Sequence, residues 1–364
     1  MKTTYTLAVG LLCAFTNATG QSMPEKSAKD SIHPITVEFN RNVEFLGYAL
    51  HMGEPEPAPS AVANHHPMRK QLDEKRNRLN EEESLTKAFE LGYELPYSFF
   101  VELFAKMHSL PHAEEYPISE SILLHNQLNT SDEMARINKF MEHINTFYRV
   151  SEFDVFWTAS QDWYAKTLRE ITQIKPEDEI MKTMENFYEQ HFLSYKIIPS
   201  LTLWSGPGFG FREDTDQGAH AYFVLGPFTE DYRFDQADRL KTLAIHEFGH
   251  SFVNHLLETT CRDLIEDTAP LFAPLTEKMA AQGYLDWPSC VNEHFVRAGE
   301  VLIPELMNDL ATSKSNLKQN AEGREFIYLP FIVDRLRKYR IEEGLSYKQS
   351  IRKAMLDLKK EFRP

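Results

Sequence analysis

The spacing of apolar side chains changes several times along this chain, and each change marks an element. An apolar stretch from Leu7 to Phe15 gives way to a polar run over residues 21–34. From Ile35 to Met52 apolar and polar side chains alternate and β-branched residues recur, a period of two that predicts strands. Glu54-Pro55-Glu56-Pro57-Ala58-Pro59 then reads as an extended connector, because proline lacks the amide donor and restricts the residue before it. From about Met68 to Gln190 apolar residues fall three or four apart, clearest in Tyr97–Leu110, Ser131–Tyr148 and Phe153–Ile174, which predicts a helical layer. Ser194–Leu203 and Ala219–Leu225 are rich in β-branched and aromatic residues and predict two strands. Gly206-Pro207-Gly208-Phe209-Gly210 between them has neither the GxGxxG spacing nor a Walker lysine, and reads as a turn. Helical spacing returns over Asp238–Glu258 and Ser289–Leu310, with a proline-containing segment between and Asp286 or Ser289 placed to cap the second. Two more helices, over Glu325–Tyr339 and Ser346–Phe362, complete the pattern, and no repeat period is evident. The sum predicts an α+β fold, mostly helical with a small mixed sheet. Its organisation is a leader over residues 1–20, a strand-and-helix region over 21–190 and a region over 191–364, the last two separate or continuous from residue 35.

Composition supports a large core. The 364 residues are 42% hydrophobic and 12% aromatic, enough to bury one large domain or two smaller ones. Phe99, Phe100, Phe104, Phe153, Phe156, Trp157, Trp163 and Tyr164 crowd the helical region, and core packing accounts for them more simply than a sugar-stacking surface. Lys2, the Leu7–Phe15 stretch and Ala18-Thr19-Gly20 have the order of a cleavable secretory signal, so a secreted or periplasmic mature chain is expected to begin near Gln21. That stretch is too short to span a bilayer, no later one reaches the length, and membrane insertion is not expected. Leu12 stands before Cys13 where a lipid anchor calls for a small residue, which disfavours lipidation. The formal charge is −15, and loss of Lys2 with the leader makes it −16, against nucleic acid or anionic lipid as a partner. Cys261 and Cys290 remain after cleavage, and a disulfide and two buried thiols are both open; no CxxC is present. Composition leaves the oligomeric state open.

The chemistry concentrates in His246-Glu247-Phe248-Gly249-His250. Residues four apart share a helix face, so His246 and His250 can offer two imidazole nitrogens to one metal ion, with Glu247 beside them. Zinc accepts neutral imidazole and a carboxylate while keeping a position for water, whose pKa it lowers toward about 7. Glu247 has the type and place of the general base and acid. Leu243, Ala244, Ile245, Phe248, Ser251 and Phe252 are uncharged, as suits a helix buried beside a cleft. Two histidines and a glutamate buried there without metal would cost at least about a few kcal/mol.

With this run the chain resembles the zincin metallopeptidases. The metzincin branch would require Gly at Val253 and His at Leu256, and His255 is half a turn out of phase with the ligand face. The glutamate-ligand branch, which includes thermolysin-like enzymes, takes its third ligand from a later helix, often in an Asn-Glu pair, and Asn292-Glu293 matches. The resemblance implies a zincin-like core, Zn2+ held by His246, His250 and Glu293 with Glu300 in reserve, and Glu247 as base. Thermolysin-like enzymes carry an aspartate four residues after the ligand glutamate to orient a histidine; Arg297 stands here, so the surrounding shell must differ. For the oxyanion donor Tyr328 is first choice, with His294, Tyr284 and Arg297 as alternatives. An extended substrate would add a strand beside Ala219–Leu225, where proline at Tyr222 or Val224 should weaken it. Over its whole length the chain is similar to an uncharacterised secreted bacterial family catalogued as domain of unknown function 4932, in length, signal peptide, the His-Glu-Phe-Gly-His-Ser-Phe run and a Tyr-containing C-terminal helix. That family brings no established activity. The expectation is a zinc metallopeptidase acting on a peptide or protein; a zincin-fold scaffold without proteolysis and a zinc hydrolase of a non-peptide envelope substrate are the rivals.

Overall fold

A four-stranded mixed sheet carries the long helix that bears the His-Glu-Phe-Gly-His run. The computed structural model describes residues 34–53, 67–93, 95–112, 118, 122–123, 126, 128, 130–203, 208–229 and 231–362. The leader, the polar run to residue 33, the proline connector at 54–59 and Gly206-Pro207 lie outside the described residues. Strands β1 (Ile35–Val37), β2 (Ser194–Pro199), β3 (Gly208–Thr215) and β4 (Gly218–Leu225) stand in the order β1-β2-β4-β3. β1 and β4 run parallel to β2, whereas β3 is antiparallel to β4 and forms an edge. Tyr195, Ile197, Ala221 and Phe223 turn to one face, where Phe248 meets Tyr195 and Phe223 edge-on.

Two expectations fail here. Ala219–Leu225 is not a sheet edge: β4 is interior, paired on both sides, and the edges are β1 and, beside β4, β3. Gly208-Phe209-Gly210 is not a turn but the start of β3. The glycines serve close approach: a Cβ on Gly210 would fall 1.7 Å from the Glu247 carbonyl oxygen, and one on Gly208 would fall 2.6 Å from Glu247 Oε1. A third expectation holds only at its start, since β1 ends at Val37 and Arg41–Gly53 is helix α1. Asn42 through Ala49 are buried in turn, so α1 is covered all round and shows no polar stripe from which a helical period could be read. It also seats tightly, with Gly47 against the Thr202 backbone.

The helical layer follows as expected: α2 (Pro67–Leu79), α3 (Glu83–Gly92), α4 (Tyr97–Lys106), α5 (Ser131–Val150), α6 (Phe153–Ala159), α7 (Gln161–Ile174) and α8 (Asp178–Tyr188). α5 starts at a capping box between Thr130 and Glu133, which satisfies two amide donors that the helix itself leaves open. Phe45, Tyr48, Phe153 and Phe156 pack ring against ring, and of the aromatic crowd Phe99, Phe100, Phe104, Phe153, Phe156 and Tyr164 are core while Trp157 and Trp163 are half-buried. After the sheet come α9 (Ala237–Asp267), a 3-10 segment at Ala269–Leu275, α10 (Thr276–Ala280) and α11 (Trp287–Leu306). Asp286 caps α11 by accepting the Ser289 amide at 2.7 Å. α11 stops before Asn308, which takes a left-handed φ of 63°. α12 (Leu310–Lys318), a π-turn at Gln319–Gly323, α13 (Leu329–Leu336), a π-turn at Arg337–Glu342 and α14 (Tyr347–Glu361) close the described chain. The expected helix over Glu325–Tyr339 is thus shorter: Glu325 has a positive φ of 61°, and the helical turns begin at Leu329. His33–Pro364 cluster as one unit, in which Arg340 from the C-terminal part donates to the carbonyls of Asn186 and Phe187. Among the described residues no helix is long and apolar enough to cross a membrane.

Candidate metal centre

α9 and α11 cross at small residues. Gly249 on α9 and Gly299 on α11 flank the Tyr188 hydroxyl, and a Cβ at Gly299 would lie 2.1 Å from it. This close passage sets Glu293 of α11 against the histidine face of α9. His246 Nε2 and His250 Nε2 are 3.3 Å apart, His250 Nε2 is 3.2 Å from Glu293 Oε1, and His246 Nε2 is 3.7 Å from Glu293 Oε2. Ligands bound tetrahedrally to zinc at ordinary bond lengths stand about 3.4 Å apart. Each of the three separations is near that value, the two to Glu293 being measured to different oxygens of its carboxylate. Glu293 Oε2 is also buried without a hydrogen-bond partner, so a lone pair is open toward the histidines. A ligand atom of Glu247 lies within 4.8 Å of those of His246 and His250, close enough to serve beside them.

The imidazoles are held from behind. His246 Nδ1 donates to Glu300 Oε1 at 2.6 Å and His250 Nδ1 to Asn254 Oδ1 at 3.2 Å, which leaves each Nε2 as the free nitrogen. Glu300, held in reserve as a ligand, therefore orients one instead. Arg297, which the sequence showed only as a departure, contacts both carboxylates: Nη2 is 3.1 Å from Glu293 Oε2 and Nη1 is 3.4 Å from Glu300 Oε1. Neither orienting role carries a sequence signal beyond position, Asn254 one turn after His250 and Glu300 two turns after Glu293.

Electrostatics follow from burial and these neighbours. Burial raises the Glu247 carboxyl, and the nearness of His246 and His250 offsets only part of it. Burial would raise Glu293 too, but Arg297 and then the two histidines outweigh it and hold the carboxylate low. Burial disfavours charge on His250, yet Glu293 and Glu247 push its imidazole up to about 9 in the metal-free chain. Carboxylates that retain a proton on imidazole here are the ones that favour a cation in its place.

Tyr328 does not join this group. Its hydroxyl donates to the Leu271 carbonyl at 3.0 Å, and its ring packs against Trp287 and Phe362. Tyr284, one of the alternatives, does join: Arg297 Nη2 donates to its hydroxyl at 3.3 Å, and that hydroxyl also reaches Glu293. His294 is buried in the opposite direction, with Nδ1 donating to the Cys290 carbonyl at 2.8 Å and burial lowering its pKa to about 4. His255 is exposed, and Cys261 and Cys290 are both free and buried. Beside the centre, a cleft of about 120 Å³ is lined by Phe209, Gly210 and Phe211 of β3, Glu102 of α4 and Asn254.

No curated protein and no solved structure matches the chain. The family model described as a domain of unknown function (DUF4932) matches residues 119–351, which take in the sheet strands β2–β4 and every residue of the candidate centre, and the chain belongs to that family.

Proposed function

We propose that this chain is a zinc-dependent hydrolase with a zincin-like core of the glutamate-ligand type, most directly a metallopeptidase, acting in a secreted or periplasmic setting. One observation carries the reading: His246, His250 and Glu293 converge with separations of 3.2–3.7 Å, while Glu247 is buried on the same helix one residue from a ligand. The antiparallel edge strand lying on that helix is a second support, since it leaves an edge where an extended backbone can add. Ser251 Oγ donates to the Phe211 carbonyl and Lys106 Nζ to the Arg212 carbonyl, so among the described residues these side-chain donors sit on β3 beyond its Gly208–Gly210 end, which lies next to Glu247.

His246, His250 and Glu293 would hold the ion. Bound zinc would supply a Lewis acid that polarises an amide carbonyl and makes water a stronger acid. Glu247 takes a proton at its carboxylate and returns it to the leaving amine, and burial, by raising its carboxyl, suits it to both steps. Tyr284, half-buried with its hydroxyl beside Glu293, replaces Tyr328 as the candidate donor to developing negative charge.

The test compares the wild type with Glu247→Gln for metal content and for cleavage of a mixed peptide library. The wild type should carry one zinc and cut; the variant should keep zinc and lose about 10²–10⁴-fold in rate. Zinc without cleavage by the wild type would turn the reading toward a non-peptide amide substrate or a scaffold. Absence of zinc would overturn it.

A further inference from the structure

Arg297 stands where a histidine-orienting acid would be expected, yet that duty is already performed by Glu300. The guanidinium is 3% exposed and lies against three groups at once. It approaches Glu293 Oε2 on one side and Glu300 Oε1 on the other, and donates to Asn320 Oδ1 at 3.1 Å. Asn320 in turn donates to Glu300 Oε2 at 2.7 Å, closing a ring of Arg297, Glu300 and Asn320. Asn320 sits in the π-turn after α12, and the Phe326 ring covers the guanidinium at 4.5 Å. Arg297 is therefore held by Asn320 and Phe326 from beyond its own helix as well as by Glu293 and Glu300 within it.

Charge says what such a residue does. Glu247, Glu293 and Glu300 are three buried acids within one constellation. A divalent ion and one guanidinium balance three carboxylates; without the ion only Arg297 is a permanent cation among them. The contact with Glu293 Oε2 is an ion pair out of hydrogen-bond alignment, since that oxygen has no hydrogen-bond partner. The guanidinium thus fixes the carboxylate by charge without occupying the lone pair a metal needs.

We infer that Arg297 is a positioning residue that serves as the standing counter-cation of the metal centre, keeping Glu293 in ligand geometry and Glu300 against His246 before the metal arrives. The inference rests on the zinc reading given above. It predicts a larger effect in the metal-free chain, because a bound divalent ion supplies most of the positive charge that the three carboxylates need.

Melting curves of wild type, Arg297→Gln and Arg297→Lys, each zinc-saturated and chelator-treated, decide the matter. The glutamine variant should lose stability mainly without zinc, so its zinc-induced rise in melting temperature should exceed that of the wild type by at least about 2 °C. The lysine variant, which keeps charge but not the fork, should lie between them. A glutamine variant that folds only with zinc is the same result in stronger form. If it folds in neither state, the lysine variant decides, with a larger rise than wild type in support and an equal rise against. Equal loss in both states would show that Arg297 merely fills space and would overturn the inference. A wild type that zinc does not shift overturns the zinc reading and this inference with it, an outcome distinct from equal loss in the variants.

Discussion

At the scale of single residues, the ligands and their supports differ in how they can be recognised. His246, Glu247 and His250 are local: one helix period fixes their relation, so a sequence pattern suffices to group them. Glu293 is distant in sequence but sits in an Asn-Glu pair early in the next long helix, and the fold brings it within 3.2 Å of His250. Glu300 was legible only as an acid on nearly the same face, two turns on, and what it does depends on the crossing of α9 and α11. Its bond to His246 Nδ1 yields a sharp expectation. Glu300→Gln should weaken zinc binding by about 10–100-fold, measured by competition with a chromogenic chelator, because the amide is a poorer acceptor and lets the imidazole turn. Unchanged affinity would mean that packing alone holds the ring. Tyr328 shows the opposite error: a tyrosine in a plausible place whose hydroxyl is spent on the Leu271 carbonyl.

Among elements, the decisive contacts are those where a side chain is missing. Gly208-Phe209-Gly210 has the composition of a turn because glycine usually punctuates, whereas here Gly208 and Gly210 let an edge strand lie directly on α9. The same economy holds between α9 and α11, where the Tyr188 hydroxyl occupies the space a methyl group would need at Gly299. Gly299→Ala should therefore destabilise the chain by about 1–3 kcal/mol through overpacking. In a Tyr188→Phe background, where the nearest remaining ring atom would be 3.3 Å from the new Cβ, most of that loss should disappear. Denaturation midpoints of the two single variants and the double variant measure the coupling; additive losses would count against the wedge. α1 hides its period for a related reason, since a helix buried on every side shows no stripe and its one β-branched residue, Val43, follows Ile35-Thr36-Val37 of β1.

For the molecule as a whole, a buried acid far from the metal centre ties three elements together. Glu44 of α1 accepts the Leu201 amide at 2.7 Å after β2 and the Tyr164 hydroxyl at 3.1 Å from α7. Burial is the largest influence on it and outweighs these hydrogen bonds, pushing its carboxyl up to about 7 from 4.5. The folded chain then holds a proton that the unfolded chain releases. Its contribution to stability is complete below about pH 4.5 and is lost as the pH rises through about 7, on the order of 3 kcal/mol in all. Glu44→Gln keeps the acceptor for Leu201 and has no proton to lose. Its stability relative to wild type should therefore improve steadily from pH 4.5 to 7.5 in urea titrations, and a constant difference across that range would refute the assignment.

The sequence by itself determined the class of the fold, the helical layer from α2 to α8, the strands β2 and β4, a cap at Asp286 or Ser289 and the His-Glu-Phe-Gly-His run on α9, because each is written in spacings within a turn or two of chain. Only the tertiary structure decided which strand is the edge, that Glu300 orients a ligand, that Tyr284 and not Tyr328 faces the centre, and that Arg297 binds two acids at once. Those facts depend on where α11 crosses α9 and where β3 meets it. Such crossings are set by close packing between residues far apart in sequence, which no local period records.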